Sequence, residues 1–193
     1  MELMNGFLKE TRETLYSATA ISRRSWDNFT DWLLSSSTMY WIHGKAGSGK
    51  STLMHFLSKH ETMQELLDNW AKPQTAIILS WYFWNSGSQA QRSLKGALCA
   101  LLYQFVSTQP GVATDFLRTD PHLSSRKSSA DWSQADLINL VPKMFSAFKG
   151  RIAVFLDGLD EFDRDEDVKA LLDLLHSLTK SSSVKVCLSS RPE

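Results

Sequence analysis

The stretch Gly44-Lys45-Ala46-Gly47-Ser48-Gly49-Lys50-Ser51 matches the pattern G-x-x-x-x-G-K-[ST] at every position. It stands between an apolar run at 38–43 (TMYWIH) and a segment with Leu53, Phe56 and Leu57 near helical spacing. A glycine-rich connection from a buried strand into a helix is the context in which this pattern has mechanical meaning. The stretch therefore predicts an α/β fold in which strand, glycine loop and helix follow one another.

Size and composition favour one compact domain without a dominant charge. The chain has 193 residues, 42% of them hydrophobic, and Lys+Arg and Asp+Glu both total 21. A balanced charge gives no reason to expect nucleic acid or an anionic membrane as a partner. We find no apolar stretch that approaches the length needed to span a bilayer. Cys99 and Cys187 suit two reduced, buried thiols, which favours a cytoplasmic protein.

Three further apolar runs predict the remaining strands, at 75–84, 151–157 and 184–188. Helical spacing of apolar residues lies between them. Strands that alternate with helices indicate parallel pairing and right-handed crossovers. The predicted helices lie at 25–34, from residue 53 onward, at 61–70, at 89–106, near Phe116 within a segment that is otherwise loop, from Ser133 to Phe148 with Pro142 as a kink or true start, and at 168–178.

The glycine loop has the chemistry of a phosphate-binding site. Its glycines let the backbone approach phosphate oxygens, and successive N–H groups with the positive end of the following helix attract them. Lys50 is expected to reach the β- and γ-phosphates, and the Ser51 hydroxyl to bind Mg²⁺. The alternative is a tight strand-to-helix turn without a ligand. The predicted residues for binding a nucleoside triphosphate are Gly44, Lys45, Ala46, Gly47, Ser48, Gly49, Lys50, Ser51 and Thr52.

Asp157 ends the apolar run 152–157 and is the predicted acid on the metal side. The carboxyl end of this strand should meet the same crevice as the glycine loop. Mg²⁺ bound to phosphates keeps much of its hydration shell and needs such a carboxylate, commonly through water. An aspartate that simply caps the next turn is the alternative.

Two more acids, Asp160 and Glu161, follow within one turn. Either one is placed to orient or deprotonate an attacking water, and the other reading is a local hydrogen-bonded turn. Arg191 follows the last predicted strand. It would emerge near the γ-phosphate if that strand lies beside the glycine-loop strand, whereas an ordinary surface arginine before a turn proline is the alternative. The predicted catalytic residues are Lys50, Asp160, Glu161 and Arg191.

Four segments together resemble the NACHT group of STAND nucleotide triphosphatases. The likeness is closest to the nephrocystin-type N-terminal domain of fungal NOD-like proteins. The likeness covers roughly Trp26 to Glu193. The predicted domain is 22–193, with 1–21 as a lead-in. The segments are WIHGKAGSGKST (41–52), YFWNSGSQAQRSLKGALCALLYQ (82–104), FLDGLDEF (155–162) and CLSSRPE (187–193).

The resemblance implies a P-loop NTPase three-layer sandwich with strand order 2-3-4-1-5, of which this chain would hold 2-3-4-1 and stop before the fifth. It also implies ATP and Mg²⁺ as cofactors, with phosphates at 44–51, the metal at Asp157, hydrolysis supported by Asp160 and Glu161, and Arg191 sensing the γ-phosphate. The chain would then be the slowly hydrolysing switch domain of a larger NOD-like signalling protein. Effector and repeat domains would flank it, and a homo-oligomer of the longer protein is compatible with this reading.

Two other functions share the same loop. A small-molecule phosphotransferase needs an acceptor pocket and an arginine-rich lid, and the loop at 124–129 offers only Arg126 and Lys127. A scaffold that binds nucleotide without turnover is the second. GTP is less favoured than ATP because the chain has no N-K-x-D segment.

Overall fold

The computed structural model describes residues 28–163 and 168–191, so the expected lead-in at 1–21 and the start of the helix predicted at 25–34 lie outside it. Among the described residues, no helix combines the length and the apolar character that a bilayer crossing requires. The elements in chain order are α1 (Phe29–Leu34), β1 (Met39–His43), α2 (Lys50–Lys59), α3 (Glu61–Ala71), β2 (Ala76–Tyr82), α4 (Gln89–Arg92), α5 (Leu94–Thr108), α6 (Pro110–Thr119), α7 (Gln134–Ala147), β3 (Arg151–Asp157), α8 (Val168–Thr179) and β4 (Val184–Ser190).

The four strands form one parallel sheet in the order β1-β4-β3-β2. Read from the other edge this is 2-3-4-1, so the predicted P-loop NTPase topology is confirmed. β4 lies between β1 and β3, with Trp41 beside Leu188 and Leu188 beside Leu156. This order brings the carboxyl end of the glycine-loop strand close to the ends of both strands that carry the predicted acids and arginine.

The sheet is buried on both faces, which explains why its strands are nearly continuous apolar runs. Side chains that alternate along β3 enter two cores. Ile152, Val154 and Leu156 pack with α5, α7 and α8, whereas Ala153 and Phe155 pack with α1, α2 and α3. The described part of the chain is therefore a three-layer sandwich, with helices on each side of the sheet.

The free edge of β2 is covered by one side chain rather than by another strand. The Gln104 amide, on α5, accepts a hydrogen bond from the Ser80 N–H at 2.9 Å and donates one to the Ser80 carbonyl at 2.8 Å. These are the two bonds that a neighbouring strand would form at this position. Gln104 thus satisfies an edge residue that is otherwise open to pairing with another chain.

Lys185, the second residue of β4, is buried, with 2% of its surface exposed. Its ammonium donates to the carbonyls of Trp32, Ser35 and Ser37 at 2.9, 3.0 and 2.6 Å, and it lies 4.9 Å from the centre of the Trp32 ring. A cation suits the carboxyl end of a helix, where the last carbonyls lack partners. Lys185 therefore fastens α1 and the segment after it to the sheet.

The prediction of a single helix over 89–106 is wrong, because the backbone leaves the helical conformation at Ser93 (φ −106°, ψ 151°). The Ser93 hydroxyl caps α5 by accepting from the Gly96 N–H at 3.0 Å. A Cβ on Gly96 would lie 1.8 Å from the Ala90 carbonyl oxygen. The apolar spacing continues across the break, and only the glycine lets α4 fold back so closely on α5.

The segment predicted as mostly loop after Pro110 is also more regular than expected. Pro110 begins α6 instead of closing the preceding helix, since proline fits the first helical position. Two 3₁₀ turns follow, at Pro121–Ser125 and Ser129–Asp131. Pro142 neither starts nor ends α7, which begins after a capping box of Ser133 and Asp136. Of the two free thiols, Cys187 is buried as predicted, whereas Cys99 is only half-buried.

Candidate functional site

A cleft of about 290 Å³ opens where β1, β3 and β4 end. The strand order determines this position, because parallel strands bring their carboxyl ends to one edge of the sheet. Three segments line the cleft: the glycine loop, the turn after β3 and the end of β4. The lining residues are Ala46, Gly47, Ser48, Gly49, Lys50, Ser51, Thr52, Asp157, Gly158, Asp160, Glu161, Ser189 and Arg191.

The glycine loop forms a cradle that depends on left-handed backbone. Gly47 and Gly49 have φ of 72° and 86°, a region that residues with a Cβ avoid. Gly49 is also the N-cap of α2, and because it has no side chain it cannot cap the N–H groups of the first turn. The first N–H groups of a helix have no acceptor within it. The start of α2 therefore presents backbone donors and the positive end of its dipole at the cleft.

Lys50 lies in the first turn of α2 and bends back over the loop. Its ammonium donates to the carbonyls of Gly44 and Lys45 at 2.7 and 3.0 Å. These two residues do not line the cleft and serve the site through their carbonyl oxygens. The bonds hold the charge of Lys50 above the cradle, where an anion seated on the loop would meet it.

Asp157 is the last residue of β3, with 4% of its surface exposed. One carboxylate oxygen accepts a short hydrogen bond from the Ser189 hydroxyl on β4. The Cys187 thiol lies on the face of the sheet that also carries Ala153 and Phe155. Burial, with the charge of Asp157 as a smaller cause, holds the pKa of this thiol well above its usual range. The neutral thiol is therefore the favoured form of Cys187.

Gly158 turns the chain sharply after Asp157. Its φ is 71°, and a Cβ there would lie 2.9 Å from the Phe83 carbonyl oxygen. The Phe83 N–H in turn donates to the Asp157 carbonyl at 2.9 Å. The turn leads into a 3₁₀ segment, Leu159–Glu161, which directs its two acids back toward the cleft.

Asp160, Glu161 and Arg191 form one ionic cluster at the mouth of the cleft. The Arg191 guanidinium contacts the Asp160 carboxylate at 3.0 Å and the Glu161 carboxylate at 3.7 Å. The backbone N–H of Arg191 donates to the Asp160 carboxylate at 2.9 Å. The second oxygen of Glu161 accepts from the Asn85 N–H at 3.1 Å. Asp160 is thus bound twice by Arg191, whereas Glu161 is held between Arg191 and the segment after β2.

The structure brings the predicted acids, Arg191 and the loop residues 46–52 into one cleft, so Lys50 and Asp157 do not face separate cavities. Two further contributors were missed. Ser189 is visible in the sequence only after β4 has been placed beside β3, because it is the residue that then lies next to Asp157. Asn85 acts through its backbone, which leaves no signal in the identity of the residue.

The residues present fit a magnesium ion bound to phosphate. The cleft offers the buried carboxylate of Asp157 and, on the first turn of α2, the hydroxyl of Ser51. In the part of the chain that the structure describes, no three His, Cys, Asp or Glu side chains cluster as a metal site. Mg²⁺ commonly takes one or two protein ligands and fills its shell with phosphate oxygens and water, so this sparse set suffices.

The solved structures that resemble this chain include two with 14% sequence identity. The ORC2 protein of Aeropyrum pernix in its ADPNP and ADP complexes shares 14% identity, with a TM-score of 0.49 over 86% of this chain and 38% of that chain. Drosophila ORC bound to AT-rich DNA and Cdc6 shares 14%, with a TM-score of 0.42 over 99% and 49%. The chain spans less than half the length of either.

A comparison with curated proteins gives no match. The family comparison does, and it covers the glycine loop, all four strands and the cleft residues through Arg191. The model that matches over residues 23–191 is that of the N-terminal region of nephrocystin 3. The chain therefore belongs to the nephrocystin 3 N-terminal family.

Proposed function

We propose that this domain binds a nucleoside triphosphate with Mg²⁺, ATP in preference to GTP, and hydrolyses it slowly. It would serve as the nucleotide switch of a NOD-like signalling protein of the NACHT group of STAND NTPases. One observation carries the proposal: the glycine loop with Lys50, the carboxylate of Asp157 and the cluster around Arg191 line a single cleft at the carboxyl edge of the sheet.

The phosphates would lie on the cradle at the start of α2. The N–H groups there and the end of the helix dipole favour negative charge without any rearrangement of the backbone. The ammonium of Lys50 would exchange its two carbonyl acceptors for phosphate oxygens, which are charged and bind it more strongly. This exchange supports a role for Lys50 in binding the β- and γ-phosphates.

Ser51 and Asp157 are the residues that would hold Mg²⁺. When bound, the ion supplies positive charge against the β- and γ-phosphate oxygens. The Ser189 hydroxyl occupies one oxygen of Asp157 and so fixes the direction of the carboxylate. Ser189 acts as a positioning residue, because it reaches the metal side only through Asp157.

The ionic cluster suggests different tasks for its two acids. Asp160 receives two bonds from Arg191 and is suited to positioning that guanidinium. Glu161 keeps a longer contact with Arg191, at 3.7 Å, and is suited to accept a proton from an attacking water. A γ-phosphate would attract Arg191 and loosen its hold on Glu161. The same event would then sense the triphosphate and free the base.

Binding without turnover is the second candidate, since Arg191 is already paired with both acids in the structure. Titration with ATP or GTP in the presence of Mg²⁺, followed by single-turnover hydrolysis, tests both. The proposal expects Mg²⁺-dependent binding of ATP and release of one phosphate. Binding with no phosphate release selects the scaffold. Absence of nucleotide binding refutes both.

A further inference from the structure

A second groove lies on the far side of α5, and the proposed nucleotide chemistry does not use it. Its volume is about 830 Å³, larger than that of the site cleft. One wall is the outer face of α5 and the other is the irregular segment 126–134. Among the lining residues are Lys95, Cys99 and Tyr103 on the helix and Arg126, Lys127 and Trp132 opposite. We refer to it as the α5 groove.

The charged residues that line the α5 groove are all basic: Lys95, Arg126 and Lys127. Arg126 is partly neutralised, because its guanidinium lies 3.4 Å from the Asp136 carboxylate and 5.3 Å from the centre of the Trp132 ring. Within residues 28–163 and 168–191, neither lysine ammonium forms an ion pair. The groove therefore keeps two uncommitted positive charges in a chain whose total charge is zero.

Apolar surface lies between these charges. Tyr103 is 74% exposed, the most exposed large hydrophobic residue of the described chain. Trp132 packs under Arg126 on the facing wall, and Leu102 and Val106 complete the floor. Aromatic side chains with arginine are typical of the points at which protein surfaces bind partners. An apolar side chain of a ligand would fit between Tyr103 and Trp132.

Both walls are fixed before any ligand arrives. On the irregular side, Asp131 accepts from the N–H groups of Lys127 and Ser128 at 2.8 and 2.7 Å. On the helical side, Gly96 allows the close contact with Ala90 that sets the course of α5. A preformed groove loses little conformational entropy on binding, which favours tighter binding of a short segment.

We propose that the α5 groove binds an acidic peptide segment of a partner protein, with an apolar anchor residue flanked by carboxylates. The carboxylates would meet Lys95 and Lys127, and the anchor would lie between Tyr103 and Trp132. A nucleic acid fits less well, because a phosphate chain needs a longer row of cations than the three basic residues that line the groove. This binding is independent of the nucleotide site.

The probe is a display library of decapeptides with six central positions randomised among Asp, Glu, Leu, Phe, Tyr, Trp and Ser. It is selected against the whole chain, and the enriched peptides are measured by fluorescence anisotropy. We expect enriched sequences with carboxylates next to an aromatic or leucine residue. Lys95→Glu with Lys127→Glu should weaken their binding at least about tenfold, as should replacing their carboxylates by amides. Tyr103→Ser should weaken it as well.

The matched control is Lys149→Glu with Lys180→Glu, which reverses two exposed lysines outside the groove and should leave peptide affinity unchanged. Lys50→Ala should also bind the peptides normally, so failure of the nucleotide proposal remains distinguishable. Cooperative unfolding in urea verifies that each variant is folded. The proposal is overturned by a lack of enrichment, by equal binding to the groove variant, or by an oligonucleotide that binds the groove more tightly than the peptides.

Discussion

Replacing Lys185 by methionine should change how the stability of the domain depends on pH. Lys185 is buried among Trp32, Trp70 and the end of α1. Burial, with the nearby charge of Arg151 as a smaller cause, lowers the pKa of its ammonium from the ordinary 10.5 to about 8. Between these values the unfolded chain binds the proton and the folded chain releases it. The free energy of unfolding must then rise with pH across this range.

The two pKa values correspond to about 3 kcal/mol in full. About 2 kcal/mol of this should appear between roughly pH 7 and pH 9.5. Cys187 has the opposite sign, because burial raises the pKa of its thiol and the unfolded chain loses that proton first. The thiols are present in both proteins, so the difference between wild type and Lys185→Met isolates the lysine.

Urea unfolding of both proteins at the two pH values measures this difference. We expect wild type to gain about 2 kcal/mol relative to Lys185→Met on going to the higher pH. The variant should also lose stability at every pH, because the Ser35 and Ser37 carbonyls lose their donor and the Trp32 carbonyl keeps only its bonds from Ser35. A difference between the two proteins that is constant to within about 0.5 kcal/mol would refute the reasoning, since Lys185 would then titrate alike in both states.

Three further outcomes are expected. Gly158→Ala should lower the free energy of unfolding by at least about 1–2 kcal/mol in urea, because its φ is positive and the methyl would lie 2.9 Å from a backbone oxygen; an unchanged midpoint would contradict this. Gln104→Leu uncovers the backbone at Ser80 and should promote self-association that light scattering detects, whereas a mass equal to that of wild type would exclude the edge-covering role. Asp160→Ala with Glu161→Ala should retain ATP and stop phosphate release in single turnover; wild-type turnover would discard both acids as hydrolytic residues.

The strands follow from the sequence because they depend on short-range features, whereas their order was predicted from the family resemblance. Each strand is a buried apolar run, and the glycine loop with the resemblance indicates which strand lies at the edge. The same features place Lys50, Asp157 and Arg191 at one end of the sheet, since all three follow strands or the loop after one.

The errors fall where features other than apolar periodicity decide the local conformation. The break at Ser93 depends on Gly96 meeting Ala90, and no periodicity within the helix reports that contact. α6 begins at a proline, a residue that marks helix starts and helix ends alike.

Side-chain partners were the least predictable feature. Lys185 is a charged residue inside an apolar strand, and its three acceptors lie about 150 positions earlier in the chain. Arg191 was expected to face a phosphate, and in the structure it contacts the two acids that were expected to act on water. That mutual pairing follows from the shape of the Gly158 turn, which fixes where the acids lie.

The central claim is that Lys50, above the loop, meets the phosphates of a nucleotide in this cleft. Titration of a fluorescent ATP analogue with Mg²⁺ into wild type, Lys50→Ala and Lys45→Ala tests it most directly. Lys45 is the matched control, because it serves the loop through its carbonyl and its side chain is outside the cleft. Loss of a charged hydrogen bond predicts binding about 10- to 100-fold weaker for Lys50→Ala and near wild-type binding for Lys45→Ala. Equal affinity of wild type and Lys50→Ala would contradict the account.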